Sequence, residues 1–106
     1  MRKERYLEIL SYVGDMIRGT KWEGNVLAVG GCVRDDIMDL EIKDIDFCVT
    51  LENGGCDFAL WLYGKALTLG KPLLFRDFGT AKLHLAAFED TELEFVQTRR
   101  EYYPDR

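Results

Sequence analysis

The most informative part of the chain reads VLAVGGCVRD at residues 26–35 and KDIDF at residues 43–47. An apolar run leads into two glycines and an Arg-Asp pair, and two carboxylates separated by one residue follow. Glycine has no β-carbon, so a bound anion can approach its backbone closely. Carboxylate oxygens are ligands that hard divalent cations prefer. The order of these two stretches indicates a phosphate-binding turn beside a metal site.

The composition is that of one compact domain. The chain has 106 residues, of which 47% are hydrophobic, enough for a single core. Its net charge of −5 argues against broad binding to a nucleic-acid backbone, which requires clustered Lys and Arg. If nucleic acid is the substrate, other protein segments must help to hold it.

Cysteine usage and hydropathy indicate a cytoplasmic protein without a membrane segment. The three cysteines, Cys32, Cys48 and Cys56, are odd in number and lack the C-x-x-C spacing of a zinc site. A reducing compartment fits this usage best. The chain also has no run of about 18 apolar residues that could cross a bilayer.

Periodicity predicts helices and strands that intermix around one small sheet, which is an α+β fold. Apolar residues at three- and four-residue spacing predict a first and a later long helix, and alternating runs predict strands. Glu89 and Asp90 are expected to form the turn between the last two strands. The predicted helices cover residues 4–18, 33–40 and 57–69, and the predicted strands cover residues 26–29, 44–50, 73–75, 82–88 and 92–98.

Three acidic residues are candidates for catalysis and metal binding. Residues two apart in a strand point to the same side, so Asp44 and Asp46 project together. Glu94 is the candidate third acid from a neighbouring strand, because Leu93 and Phe95 occupy its opposite, apolar side. Such carboxylates can bridge two metal ions that activate an attacking hydroxyl and neutralise a leaving pyrophosphate. Solvated strand ends show the same patterns, so the residues alone leave both interpretations open.

Candidate phosphate contacts surround the glycine pair. Gly30 and Gly31 lie between a predicted strand and a predicted helix, where free backbone N–H groups bind anions. Arg34 follows about one helical turn later and can reach a phosphate at that helix start. Arg99 ends the last predicted strand and could clamp a phosphate or pair with an acid. An ordinary turn also explains the glycine pair, and surface ion pairs also explain the two arginines.

Four stretches together resemble a known family. GGCVRD at 30–35, KDIDF at 43–47, FGTA at 78–81 and LEFVQTRREYY at 93–103 occur in the order found in one enzyme head domain. This domain belongs to the class II tRNA nucleotidyltransferases and bacterial poly(A) polymerases, within the DNA polymerase β-like superfamily.

The resemblance implies a fold, an activity and a set of site residues. The fold would be a small mixed sheet flanked by helices, the polymerase β-like palm. The activity would be transfer of CMP or AMP from CTP or ATP to an RNA 3′ end, with release of pyrophosphate. Magnesium would lie on Asp44 and Asp46, with Glu94 completing the catalytic set. The triphosphate would contact Gly30–Gly31 and Arg34, with Arg99 as an additional candidate.

The resemblance covers a head domain alone. Family members usually carry a glycine where this chain has Asp39, and the motif resembling RRDFTINA, the helical neck, the body and the tail are absent from residues 1–106. Base selection and the grip on tRNA are therefore expected from segments outside this sequence. Two alternatives stay open: a small stand-alone nucleotidyltransferase that modifies a protein or an antibiotic, and a catalytically silent nucleotide-binding module.

Overall fold

The computed structural model describes residues 3–29 and 44–98. Most of the predicted elements are confirmed, with shifted ends, while the helix predicted at 33–40 lies outside the described residues. The elements in chain order are α1 (Lys3–Ile17), β1 (Val26–Val29), β2 (Asp44–Val49), α2 (Gly54–Gly64), β3 (Leu73–Phe75), a short 3-10 helix (Arg76–Phe78), β4 (Thr80–Leu85) and β5 (Phe88–Gln97).

The five described strands form one mixed sheet in the order β1-β2-β5-β4-β3. Strands β2 and β5 run parallel, and the other three pairs are antiparallel. The parallel pair lies in the middle and brings together segments about 50 residues apart. The α+β class and the mixed sheet are confirmed.

Both described helices pack on one face of this sheet. Alternate residues of β2, β4 and β5 point to that face because side chains alternate along a strand. They form one hydrophobic cluster with apolar side chains from α1, α2 and the α1–β1 turn. Its central members are fully buried: Ile9, Ile45, Val49, Phe58, Leu62, Leu85, Leu93 and Phe95.

Aromatic rings link the helix layer to the sheet. Phe47 and Phe95 stack with ring centroids 5.1 Å apart, and Phe58 of α2 meets Phe95 edge-on at 5.0 Å. The ring of Trp22 lies 4.9 Å from that of Phe58. Such contacts add about 0.5–1.5 kcal/mol each to the effect of area burial. They fix how α2 sits on the central strands.

Helix α2 begins and ends earlier than the predicted span of 57–69. It begins at Gly54 because the glycines there permit close packing: a β-carbon on Gly55 would clash with the carbonyl oxygen of Gly79 and lie 2.6 Å from that of Phe95. It ends at Gly64, and Ala66 adopts a left-handed φ of 61°. The amide of Ala66 donates to the Tyr63 carbonyl, a helix-ending arrangement that apolar periodicity does not reveal.

The turn between β4 and β5 is not where the sequence places it. Glu89 and Asp90 lie within β5, and the chain reverses at residues 86–87 instead. The register shifts between His84 and Leu85, so that residues 89–91 are extra on the β5 side. His84 Nδ1 donates a hydrogen bond of 2.7 Å to the Glu89 carbonyl and holds this irregularity. The prediction was wrong because the chain reverses earlier, and the hydrogen bond between His84 and Glu89, five residues along the chain, holds these acidic residues beyond the turn.

Neither described helix has the length and apolar character needed to cross a bilayer.

Candidate active site

Two of the candidate acids, Asp46 and Glu94, lie on the sheet face opposite the helices. In the parallel pairing of β2 and β5, Asp46 lies beside Glu94, and in the antiparallel pairing of β5 and β4, Glu94 lies beside Lys82. Registered neighbours share a face, and this face is opposite Ile45, Phe47 and their buried partners. The row Asp46–Glu94–Lys82 therefore crosses three adjacent strands.

The three side chains of this row are partly exposed and lie on adjacent strands. Asp46, Glu94 and Lys82 are each half-buried, so all three residues are partly accessible to solvent. Neighbouring strands are separated by about 4.8 Å, a spacing that lets two carboxylates share one cation. Asp46 also makes an interaction of its own within the protein. The donor set, two carboxylate groups on rigid strands, fits a hard divalent cation.

For Asp44, the remaining candidate acid, the structure describes the backbone alone. Asp44 is the first residue of β2, and its Cα lies opposite that of Glu92, two registered pairs away from Asp46 and Glu94. Its side chain lies outside the described part of the structure. Within residues 3–29 and 44–98, no three His, Cys, Asp or Glu side chains are grouped closely enough to hold a metal ion. The three-carboxylate site thus stays a prediction.

The predicted phosphate contacts fall outside the described residues. Gly30, Gly31 and Arg34 belong to the stretch 30–43, and Arg99 follows the last described residue. The last residue of strand β1, Val29, which precedes Gly30 in the sequence, pairs with Asp46. The chain therefore reaches Gly30 one residue after contacting the candidate metal ligand. Arg99 follows the far end of β5, about 13 Å along the strand from Glu94 to its neighbour Thr98.

A depression beside the row contains residues that sequence reasoning did not select. It has a volume of about 250 Å³ and is lined by Phe75, Phe78, Thr80, Lys82 and Glu94. Gly79, with a left-handed φ of 64°, turns the chain from the 3-10 helix into β4, which places Phe78 and Thr80 on either side of the turn. Lys82 had a usable signal, since Thr80, Lys82 and His84 alternate with buried residues. Its position beside Glu94 depends on strand pairing and has no local signal.

The known proteins that resemble this chain in sequence or structure are enzymes that act on tRNA. No protein-family model matches the chain. It is 35% identical over 85 residues, 72% of its length, to an A-adding tRNA nucleotidyltransferase of Aquifex aeolicus (strain VF5). A CCA-adding enzyme in complex with ATP matches 93% of the chain with a TM-score of 0.67 and 26% identity. A tRNA nucleotidyltransferase complexed with a primer tRNA and an incoming ATP analog matches 72% with a TM-score of 0.53 and 34% identity.

The mixed sheet and these matches identify the nucleotidyltransferase fold. Within that class, the chain belongs to the tRNA nucleotidyltransferase family, where it corresponds to the head domain. The resemblance drawn from the four sequence stretches is thereby confirmed. The chain spans 8% of the length of the Aquifex protein and 22% and 20% of the two solved structures.

Proposed function

We propose that residues 1–106 are the head domain of an enzyme that adds CMP or AMP, taken from CTP or ATP, to the 3′ end of tRNA. The named activities of the similar proteins support this proposal, as does the primer tRNA bound in one of them. The single observation that carries it is the pairing of Asp46 with Glu94 on the open face of the sheet. The cytoplasm is the proposed location, which agrees with the free thiols of Cys48 and Cys56.

In the proposed reaction, the RNA 3′-hydroxyl oxygen forms a bond to the α-phosphorus of the nucleotide. The hydroxyl proton is released to water, the bond from that phosphorus to the oxygen that bridges the α- and β-phosphates breaks, and pyrophosphate leaves. Asp46 and Glu94, with Asp44, would hold magnesium, for which a two-ion arrangement is proposed. When bound, magnesium would lower the pKa of the attacking hydroxyl and offset the charge on pyrophosphate.

The remaining roles belong to backbone and arginine groups. Gly30 and Gly31 are proposed to present backbone N–H groups to the triphosphate, beginning one residue after the Val29–Asp46 pair. Arg34 and Arg99 are proposed to pair with phosphate oxygens. Base choice and most of the tRNA grip are assigned to segments beyond those that match here, because the chain covers about a fifth of each solved structure compared.

The test is transfer of radiolabelled CMP or AMP, with magnesium, to a tRNA that lacks its 3′-terminal nucleotides, catalysed by a full-length protein that carries residues 1–106 together with the segments that hold tRNA. Asp46→Asn should lower the rate at least about 100-fold, because losing a metal ligand removes roughly 3 kcal/mol of transition-state stabilisation. Glu8→Gln, on the exposed side of α1, is the matched control and should retain the wild-type rate.

Three outcomes would contradict the proposal. The first is wild-type transfer by Asp46→Asn. The second is label appearing on protein or aminoglycoside acceptors in place of tRNA, which identifies a stand-alone enzyme of another specificity. The third is nucleotide binding without transfer to any acceptor, which identifies a silent module.

A further inference from the structure

Exposed apolar side chains are concentrated in one segment of the described chain. Seven large hydrophobic residues are exposed there, and four of them fall within residues 69–78. Phe78 is 78% exposed, and Leu69, Leu73 and Phe75 are exposed by 41–59%. Singly scattered exposed apolar residues need no explanation, whereas several in one short segment, of which Phe75 and Phe78 line one depression, indicate a binding surface.

The same segment is positively charged, whereas the chain as a whole is negatively charged. Residues 71–82 carry three cations, Lys71, Arg76 and Lys82, and one carboxylate, Asp77, giving a net charge of +2 against −5 for the chain. Aromatic rings interleaved with cations are typical of surfaces that bind single-stranded nucleic acid, where bases stack and phosphates pair. An apolar protein partner would not require the excess positive charge.

This segment adjoins the candidate active site. Lys82 lies beside Glu94 in the strand register, and Phe75 and Phe78 line the same depression as both. Across the sheet face the order is Asp46, Glu94, Lys82 and then β3. A strand of RNA whose terminal hydroxyl reaches the acids can therefore pass over Lys82 and onto the aromatic rings.

We propose that residues 71–82 bind the last nucleotides of a single-stranded RNA acceptor, in an extension that rests on the proposed function. Bases stack on Phe75 and Phe78, and a backbone phosphate pairs with Lys82. The acidic chain thus gains a local RNA contact that directs the 3′ end towards Asp46 and Glu94.

Binding of a short RNA to the 106-residue chain tests this directly. The probe is a fluorescein-labelled single-stranded RNA octamer ending in CC, followed by fluorescence anisotropy with magnesium and without nucleotide. Phe78→Ala should weaken binding about 10-fold or more through loss of base stacking. Tyr63→Ala, an exposed aromatic on α2, is the matched control and should bind like the wild type.

Salt dependence separates phosphate contact from a general loss of structure. Lys82→Gln should reduce the slope of log affinity against log salt by about 0.7, the value for one phosphate contact to a single strand. A purely structural role for Lys82 would leave that slope unchanged. Circular dichroism of both variants should match the wild type, since both side chains reach solvent.

The outcomes distinguish this inference from the proposed function. Asp46→Asn should lose nucleotide transfer and retain RNA binding. The transfer assay and the binding assay therefore test the proposed function and the RNA-binding surface separately. The inference is overturned if the wild-type chain does not bind the octamer, or if Phe78→Ala binds it as tightly as the wild type. It is also overturned if sedimentation shows that Phe78→Ala disrupts a dimer while RNA binding is unchanged.

Discussion

At the scale of single residues, one missing β-carbon determines how α2 sits on the sheet. Gly55 lies between the carbonyl oxygens of Gly79 and Phe95 and within contact of the Gln97 backbone. These groups belong to the turn before β4 and to the end of β5, so Gly55 places α2 against the strands that carry the candidate site. Backbone atoms cannot move aside as the end of a long side chain can.

Gly55→Ala should therefore destabilise the protein by about 1–3 kcal/mol, the usual cost of overpacking. Urea unfolding followed by tryptophan fluorescence measures this change. Gly14→Ala is the matched control: Gly14 lies in α1 with no atom near its potential β-carbon, so alanine should stabilise the helix by about 0.5–1 kcal/mol. Equal stability of Gly55→Ala and the wild type would show that the packing is looser than the structure has it.

At the scale of elements, the end of α2 shows a local conflict between sequence and structure. Ala66 takes the left-handed conformation that usually belongs to glycine, and the amides of Ala66 and Leu67 donate to the carbonyls of Tyr63 and Leu62. The left-handed conformation costs a residue with a β-carbon about 1–2 kcal/mol. The helix ends there because hydrogen bonding and the burial of Leu62 outweigh that cost.

We expect Ala66→Gly to raise the free energy of unfolding by about 0.5–1 kcal/mol, because relief of strain exceeds the added entropy of the unfolded chain. Gly70→Ala should lower the free energy of unfolding instead. Gly70 has a φ of 78° and open space around it, so alanine there would be strained by the backbone conformation alone. Thermal unfolding of the two variants should shift in opposite directions. A lower midpoint for Ala66→Gly would refute the strain at this helix end.

These elements also show which parts of the fold the sequence determines locally. Strand β2 was predictable because Ile45, Phe47 and Val49 alternate with polar residues when one face is buried. The same alternation indicated Glu94. The end of α2 and the shift at His84 were not predictable, since each depends on local backbone geometry and on hydrogen bonds to carbonyls three to five residues away, which apolar periodicity does not reveal. The Asp46–Glu94–Lys82 row required the strand pairing itself.

At the scale of the whole molecule, one aromatic cluster unites the two layers. Phe58 is fully buried and contacts Trp22, Trp61 and Phe95, which belong to the α1–β1 turn, α2 and β5. Its ring is therefore shared by the helix layer and the parallel centre of the sheet. The candidate site lies on the other face of those same strands, so its geometry depends on this packing.

Phe58→Ala should lower the free energy of unfolding by about 3–5 kcal/mol, a large part of the 5–15 kcal/mol typical of a domain. The fluorescence of Trp22 and Trp61 reports the change directly in urea unfolding. Tyr63→Ala, on the exposed side of α2, should alter stability by less than about 0.5 kcal/mol. A similar effect of both substitutions would mean that Phe58 does not hold the layers together.

We propose that Asp46 and Glu94, paired across the parallel strands, form a cation site for a nucleotide. Calorimetric titration of a non-hydrolysable ATP analogue in the presence and absence of Mn²⁺ measures this without an RNA acceptor. The wild type and Glu8→Gln should bind the nucleotide more tightly with the metal, and Asp46→Asn and Glu94→Gln should each lose at least about 10-fold of that gain, roughly 1.4 kcal/mol. Metal-dependent nucleotide binding of wild-type strength in Asp46→Asn and Glu94→Gln would show that these two carboxylates do not hold the cation.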